Sequence, residues 1–162
     1  MFNNESVFAA TAGRARLPCR VILNMSKKPR TDLVRRRVLL VDRHALMRCA
    51  ATGWINSCSS LEVCGAADDK AQAFRSVKRL HPDVVVSEIL QPQDLGFIRE
   101  LHRRHPRLPI LVFSMRDEAV YGARARAAGA GGYLMKAAGG DKLVRSIRAL
   151  LRGRTVAGRR KG

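Results

Sequence analysis

The sequence predicts an α/β fold, a doubly wound five-stranded parallel sheet with helices on both faces. Three observations carry that expectation. Five short apolar runs recur along the middle of the chain, each followed by a stretch of helical periodicity. One of them, "DVVVSEI" (83–89), is apolar without alternation, the pattern of a strand buried on both faces. Polar or charged residues close four of the runs: Asp42 and Arg43, Glu88, Ser114 and Lys136. Parallel sheets gather their ligands at such strand ends.

The elements follow in order. "RVLLVD" (37–42) is a short apolar run ending in a carboxylate. "HALMRCAATGWINSC" (44–58) reads as an amphipathic helix, with Leu46, Ala50, Trp54 and Ile55 as its apolar residues. "LEVCGAA" (61–67) alternates like a strand, and "KAQAFRSVKRL" (70–80) is helical until "HP" stops it. After the buried strand at 83–89 comes the helix "LGFIRELHRRH" (95–105), ended by Pro106. "LPILVFS" (108–114) is a second buried strand, and "DEAVYGARARAAGA" (117–130) is a helix running out into glycines. "GYLMK" (132–136) is a short strand. The last helix, 141–153, carries Leu143, Ile147, Leu150 and Leu151 at i, i+4, i+7 and i+8.

The organisation predicted is a basic leader at 1–35 without sustained periodicity, a domain at 36–153 and a basic tail at 154–162. The leader is arginine-bearing and poor in acids, which loosely suits a transit peptide, and it lacks the apolar core of a secretory signal. A start at Met25 is the simpler alternative. Of the net charge of +18, residues 1–37 hold +7 and residues 152–162 hold +5. Such ends attract nucleic acid, an acidic partner or an anionic surface. Aromatic residues make up 5%, which argues against a base-stacking surface. No apolar run approaches the roughly 18 residues that cross a bilayer, so no membrane partner is expected. Cys19, Cys49, Cys58 and Cys64 form no CxxC pair. They read as reduced thiols, mostly small core residues, of a cytoplasmic protein. His102 and His105 lie one turn apart between arginines and read as a solvated helix face; His44 and His81 receive no role.

"RVLLVDRHALMR", "HPDVVVSEILQP" and "LPILVFSMRDEAVYGARARAAGAGGYLMK" together resemble a bacterial response-regulator receiver domain of the NarL/FixJ branch. The likeness runs over about 36–153, and "GAGGYLMK" is its most specific piece. It implies the flavodoxin-like receiver fold and a place in two-component phosphorelay signalling. In that family two acids after the first strand help hold Mg²⁺. An aspartate after the third strand takes a phosphoryl group from a kinase phosphohistidine, and a Ser or Thr and a Lys contact that group. By position the acid pair falls on Asp42 and Arg43 and the phosphoacceptor on Glu88. The phosphoryl contacts fall on Ser114 and Lys136, and the aromatic near the output face is Tyr133.

Two positions depart from the family. Arg43 puts a cation where an Mg²⁺ ligand belongs, so the resemblance predicts a lost Mg²⁺ site and no cofactor. Arg43 is expected instead to pair with Asp42 or Glu88. Glu88 replaces the aspartate, and its extra methylene carries the carboxylate roughly 1.5 Å further, within expected reach of Ser114 and Lys136. The expectation is a stand-alone pseudo-receiver that works by protein contact without ordinary phosphorylation. Its partner would be a histidine kinase or another receiver. The contact face would lie on the fourth helix, fifth strand and fifth helix, with Tyr121, Arg124 and Arg126 contributing. The alternatives are a nucleic-acid-associated regulator using its basic ends, or a truncated remnant of a DNA-binding response regulator. With no nucleophile–base pair elsewhere and no phosphate-binding glycine loop, no catalytic residue is assigned.

Overall fold

The computed structural model describes residues 34–153, 155 and 156. All of the leader except 34 and 35, the possible start at Met25, Cys19 and all of the tail except 155 and 156 lie outside the described residues. The elements are β1 (Arg36–Val41), α1 (Ala45–Asn56), β2 (Leu61–Ala67), α2 (Lys70–Leu80), β3 (Val84–Ser87), α3 (Asp94–Arg104), β4 (Ile110–Ser114), α4 (Glu118–Ala127), β5 (Gly132–Met135) and α5 (Gly140–Leu151). A 3₁₀ turn, Lys136–Ala138, joins β5 to α5. The five strands form one sheet in the order β2-β1-β3-β4-β5, and every pairing is parallel. The doubly wound expectation therefore holds.

Each face of the sheet has its own core. Leu39, Val41, Val85, Ile110 and Val112 pack under α2, α3 and α4, against Val77, Ile98, Leu101 and Ala125. Val38, Leu40, Val84, Val86 and Leu111 pack under α1 and α5, against Ile55, Leu143 and Ile147. All four residues of β3 are buried, which is why that run shows no alternation. Burying side chains such as Ile98 or Leu101 stabilises the fold by about 2 kcal/mol each.

Local chemistry sets the helix ends. The Asp69 side chain accepts the Gln72 N–H at 2.7 Å to open α2, and Asp117 accepts that of Ala119 at 2.9 Å to open α4. α2 ends at His81, whose φ of 46° is left-handed, and Pro82 prevents its continuation. α4 stops at Ala127, short of the predicted 130, because the chain turns at Gly129 with φ +102°.

Three expectations about packing need correction. On α1 the predicted face included Leu46 and Trp54, yet Leu46 is 80% exposed and the buried residues are Ala51 and Ile55. The helix carries two apolar stripes one residue apart, and the sheet takes the one through Met47, Ala51 and Ile55. Trp54 instead leans on Gly140, where a Cβ would lie 2.4 Å from the indole. Of the described cysteines none is fully buried: Cys49 is exposed, Cys64 is half-buried, and Cys58 is half-buried against the core beneath α1 and α5, all three free thiols. Lastly, the stretch read as tail contributes a residue to the sheet edge. Val156 pairs with Gly132 on the open edge of β5, its N–H donating to the Gly131 carbonyl at 3.1 Å.

Candidate functional site

Strand order decides which strand ends meet. β1 lies beside β3, and the connections leaving these two strands run to opposite ends of the sheet, so a crevice opens at their C-terminal ends. Asp42 follows β1, Glu88 follows β3, and Lys136 follows β5. Backbone bonds fix the first two. The Asp42 N–H donates to the Ala67 carbonyl at 3.0 Å, and the Glu88 N–H donates to the Val41 carbonyl at 2.8 Å. Arg48 steadies the turn after β1 by donating to the Asp42 carbonyl at 2.7 Å.

Lys136 is the centre of the site. Its ammonium donates to Asp42 Oδ2 at 2.6 Å and to Glu88 Oε1 by a short bond. The lysine side chain is 2% exposed and that of Glu88 4%, so water screens the pair little. The free oxygen of each carboxylate turns to His44. His44 Nδ1 lies 3.2 Å from both Asp42 Oδ1 and Glu88 Oε2. The ring nitrogen is within hydrogen-bond distance of both carboxylates. His44, given no role from the sequence, thus belongs to the site.

Burial pushes both carboxyl groups upward. For Asp42 the hydrogen bonds from Lys136 and from the His44 backbone N–H outweigh burial, and its pKa falls below the ordinary value. For Glu88 burial wins against Lys136, helped by the adjoining Asp42 carboxylate, and its pKa rises. A proton taken up by the pair goes to Glu88.

Arg43 does not reach Asp42 or Glu88. Its Nη2 lies 3.8 Å from Asp94 Oδ1, beside Lys70 Nζ at 3.0 Å from the same oxygen. Lys136 already fills the space between the two site carboxylates, so the guanidinium turns outward, its side chain 55% exposed. Asp94 is a residue the sequence reading missed. Its other oxygen accepts the Leu90 and Gln91 N–H groups at 2.9 and 3.0 Å, closing the turn between β3 and α3. An Asp seven residues after the end of a strand, at the first position of a helix, is the available signal for such a turn.

Ser114 also departs from expectation. It is fully buried and donates to the Ile89 carbonyl at 2.6 Å, not to Glu88. Its oxygen accepts the Arg116 N–H at 3.1 Å, and Arg116 Nε donates to the Leu90 carbonyl at 2.8 Å. The loop after β4 is thereby pinned to the loop after β3. Tyr133, expected near an output face, is wholly buried, with its hydroxyl donating to the Arg116 carbonyl at 3.0 Å. Arg124 and Arg126 are exposed, while Tyr121 is half-buried against the core.

This sheet order, with an acid, a second carboxylate, a hydroxyl and a lysine closing β1, β3, β4 and β5, defines a receiver module of two-component signalling. The chain belongs to the response regulator receiver domain family, whose model matches residues 38–148. It is 34% identical over 119 residues to the response regulator GacA of Pseudomonas viridiflava, covering 72% of this chain and 56% of that protein. The chain thus spans little more than half the length of that relative. Among solved structures, a LuxR-family two-component response regulator from Aurantimonas sp. SI85-9A1 superposes with a TM-score of 0.71 at 29% identity, covering 75% of this chain and 89% of that one. The signal receiver domain of the response regulator NarL from Mycobacterium tuberculosis gives 0.69 at 26% identity, covering 75% and 99%. Among the described residues no helix is long and apolar enough to cross a membrane.

The family's Mg²⁺ asks for oxygen ligands in near-octahedral array. Here Asp42, Glu88 and His44 bring one ligand atom each within 4.8 Å of one another. One of the three is an imidazole nitrogen, and an ammonium already holds the second oxygen of each carboxylate. That donor set suits Mg²⁺ poorly.

Proposed function

We propose that this receiver transmits its signal through protein contact, without phosphorylation of the residue after β3. One observation supports the reading most: Glu88 is already bonded to Lys136, the group that in the family would neutralise an incoming phosphoryl. Its other oxygen is directed at His44. Phosphoryl transfer needs a free carboxylate oxygen in line with phosphorus and a cation to offset developing charge. Glu88 offers no idle oxygen, and Arg43 stands in place of a metal-binding acid. The site is a closed ion triad that holds the loops after β1, β3 and β5 in one arrangement. The partner is another signalling protein of the two-component class, a histidine kinase or a second receiver, met on the surface of α4, β5 and α5, where Arg124 and Arg126 are exposed.

The test is labelling with acetyl phosphate and Mg²⁺, read as a mass increase on the intact chain. The wild-type chain is expected to stay unlabelled. Glu88→Asp with Arg43→Asp shortens the acceptor and restores the missing acid, and is expected to label only with Mg²⁺ present. Mg²⁺-dependent label on Glu88 in the wild-type chain would overturn the proposal.

A further inference from the structure

The charge of the described domain is segregated by pole. In a parallel sheet every strand starts at one end and every helix returns to it. The last helical turns, the connections after them and the strand starts therefore share a pole, opposite Asp42, Glu88 and Lys136. Residues 34–153 hold 21 Lys/Arg and 11 Asp/Glu. Twelve of those cations and four of the acids belong to this pole, a net of +8. The rest of the domain has nine against seven, a net of +2. The four acids are Glu62, Asp83, Glu100 and Glu118, the last two counted here because they pair with Arg103 and Arg104 and with Arg126.

The cations form a row. α2, α3 and α4 lie side by side on one face of the sheet. Lys78 and Arg79 close α2, Arg103, Arg104 and Arg107 close or follow α3, and Arg124 and Arg126 close α4. Helices pack about 8–10 Å apart, so the row is about 20 Å long. Arg148 and Arg152 extend it from α5, and Arg35, Arg36 and Arg37 from the start of β1. Lys78, Arg79, Arg107, Arg124, Arg148 and Arg152 are exposed and form no ion pair among the described residues. The helix macrodipole favours a cation or two at each C-terminus. It explains neither the three arginines at a strand start nor the scarcity of acids. Left without a partner, such a pole repels itself.

We infer that this pole is a binding surface for a nucleic-acid backbone, independent of the Glu88 site. Eleven of the twelve cations are arginine, whose planar guanidinium pairs with phosphate through two parallel bonds. A row of about 20 Å faces about a dozen duplex charges, at one per about 1.7 Å of axis. The flanking segments reinforce it: residues 1–33 and 154–162 each carry a net +4. Their points of attachment, Val34 and Val156, are at this pole. A lipid surface is the weaker match. Leu46, Met115 and Val120 are exposed at the opposite pole and Trp54 leans on Gly140, which leaves Val34 as the apolar wedge here among the described residues.

The experiment is fluorescence anisotropy of a short labelled DNA duplex with the full chain over a salt series. The wild-type chain is expected to bind with a log–log salt slope of about −5 or steeper, roughly 0.9 per phosphate neutralised. The variant Lys78→Gln/Arg79→Gln/Arg107→Gln/Arg124→Gln removes four unpaired pole cations and is expected to lose about 3 to 4 of that slope. The charge-matched control Arg75→Gln/Arg99→Gln/Lys142→Gln/Arg145→Gln, exposed and at least one helical turn back from the pole along α2, α3 and α5, is expected to lose less than about 1. Arg107→Gln/Arg124→Gln gives the same readout at half the loss should the fourfold variant fold poorly. Equal losses in pole variant and control would overturn the inference, since net charge alone would then be at work. So would undiminished binding by the pole variant, which would assign the affinity to the flanks. Preferential transfer of the chain from duplex to phosphatidylserine vesicles would overturn it in favour of a membrane surface.

Discussion

The Lys136 ammonium stands 2.6 Å from the Asp42 carboxylate across 94 residues of chain, and the same nitrogen holds Glu88. One buried cation thus ties the ends of β1, β3 and β5 together. Removing it leaves two carboxylates facing each other with little water between them. Lys136→Met is expected to destabilise the domain by about 3–5 kcal/mol, read from the urea midpoint at neutral pH. Adding Glu88→Gln to that variant removes one of the stranded charges and is expected to restore a large part of the loss. Simple additivity of the two substitutions would show that the triad is not an energetic unit.

Asp94 predicts a dependence on pH. Burial raises its pKa, but the N–H groups of Leu90 and Gln91 and the Lys70 ammonium outweigh burial and hold it below the ordinary 3.8. A depressed carboxyl contributes stability above its unfolded value, and that contribution is lost as pH falls through the folded one. Asp94→Asn should therefore cost about 2 kcal/mol at neutral pH. The difference between variant and wild type should shrink as the pH is taken below 3.8. A difference that stays constant into acid would mean that the ionised form plays no part.

What the sequence revealed and what it concealed divide along a physical line. A strand's place and the residue that ends it are local properties, so the five strands and the polar caps Asp42, Glu88, Ser114 and Lys136 were legible. Where a capping side chain turns is not local. Arg43 was expected to point inward, yet Lys136, arriving from β5, fills the space first. Ser114 was expected at Glu88 but meets a nearer carbonyl, that of Ile89. On α1, two apolar stripes one residue apart fit the periodicity equally, and only the sheet selects Ala51 and Ile55. The basic pole was invisible for a similar reason. Its arginines are scattered along the chain, and parallel topology collects them.

Gly129 predicts a local cost with two separable parts. Its φ of +102° disfavours any side chain, and a Cβ there would lie 2.4 Å from His102 Cγ. Gly129→Ala is expected to lower stability by about 3 kcal/mol, measured by denaturant titration. Adding His102→Ala removes the clash and leaves the backbone strain, so the double variant should recover about half of the loss. Full recovery would show that the positive φ costs nothing here.

Gly132 predicts what holds the edge of the sheet. β5 is a terminal strand, and Val156 covers part of it: the Tyr133 N–H donates to the Val156 carbonyl at 3.3 Å, and the Val156 N–H donates back to Gly131. Only a glycine permits so close an approach, since a Cβ at position 132 would sit 2.7 Å from the Val156 Cβ and 3.1 Å from its carbonyl oxygen. Gly132→Ala should push Val156 off the edge and destabilise the domain by about 1–2 kcal/mol. Hydrogen exchange at the Tyr133 amide should then quicken. Val156→Gly leaves the backbone bonds possible but removes a side chain that packs against the core beneath α1 and α5. It is expected to give a similar loss, and the two substitutions together should cost little more than either alone, because each abolishes the same contact. Unchanged exchange at Tyr133 in Gly132→Ala would show that Val156 does not hold the edge in solution.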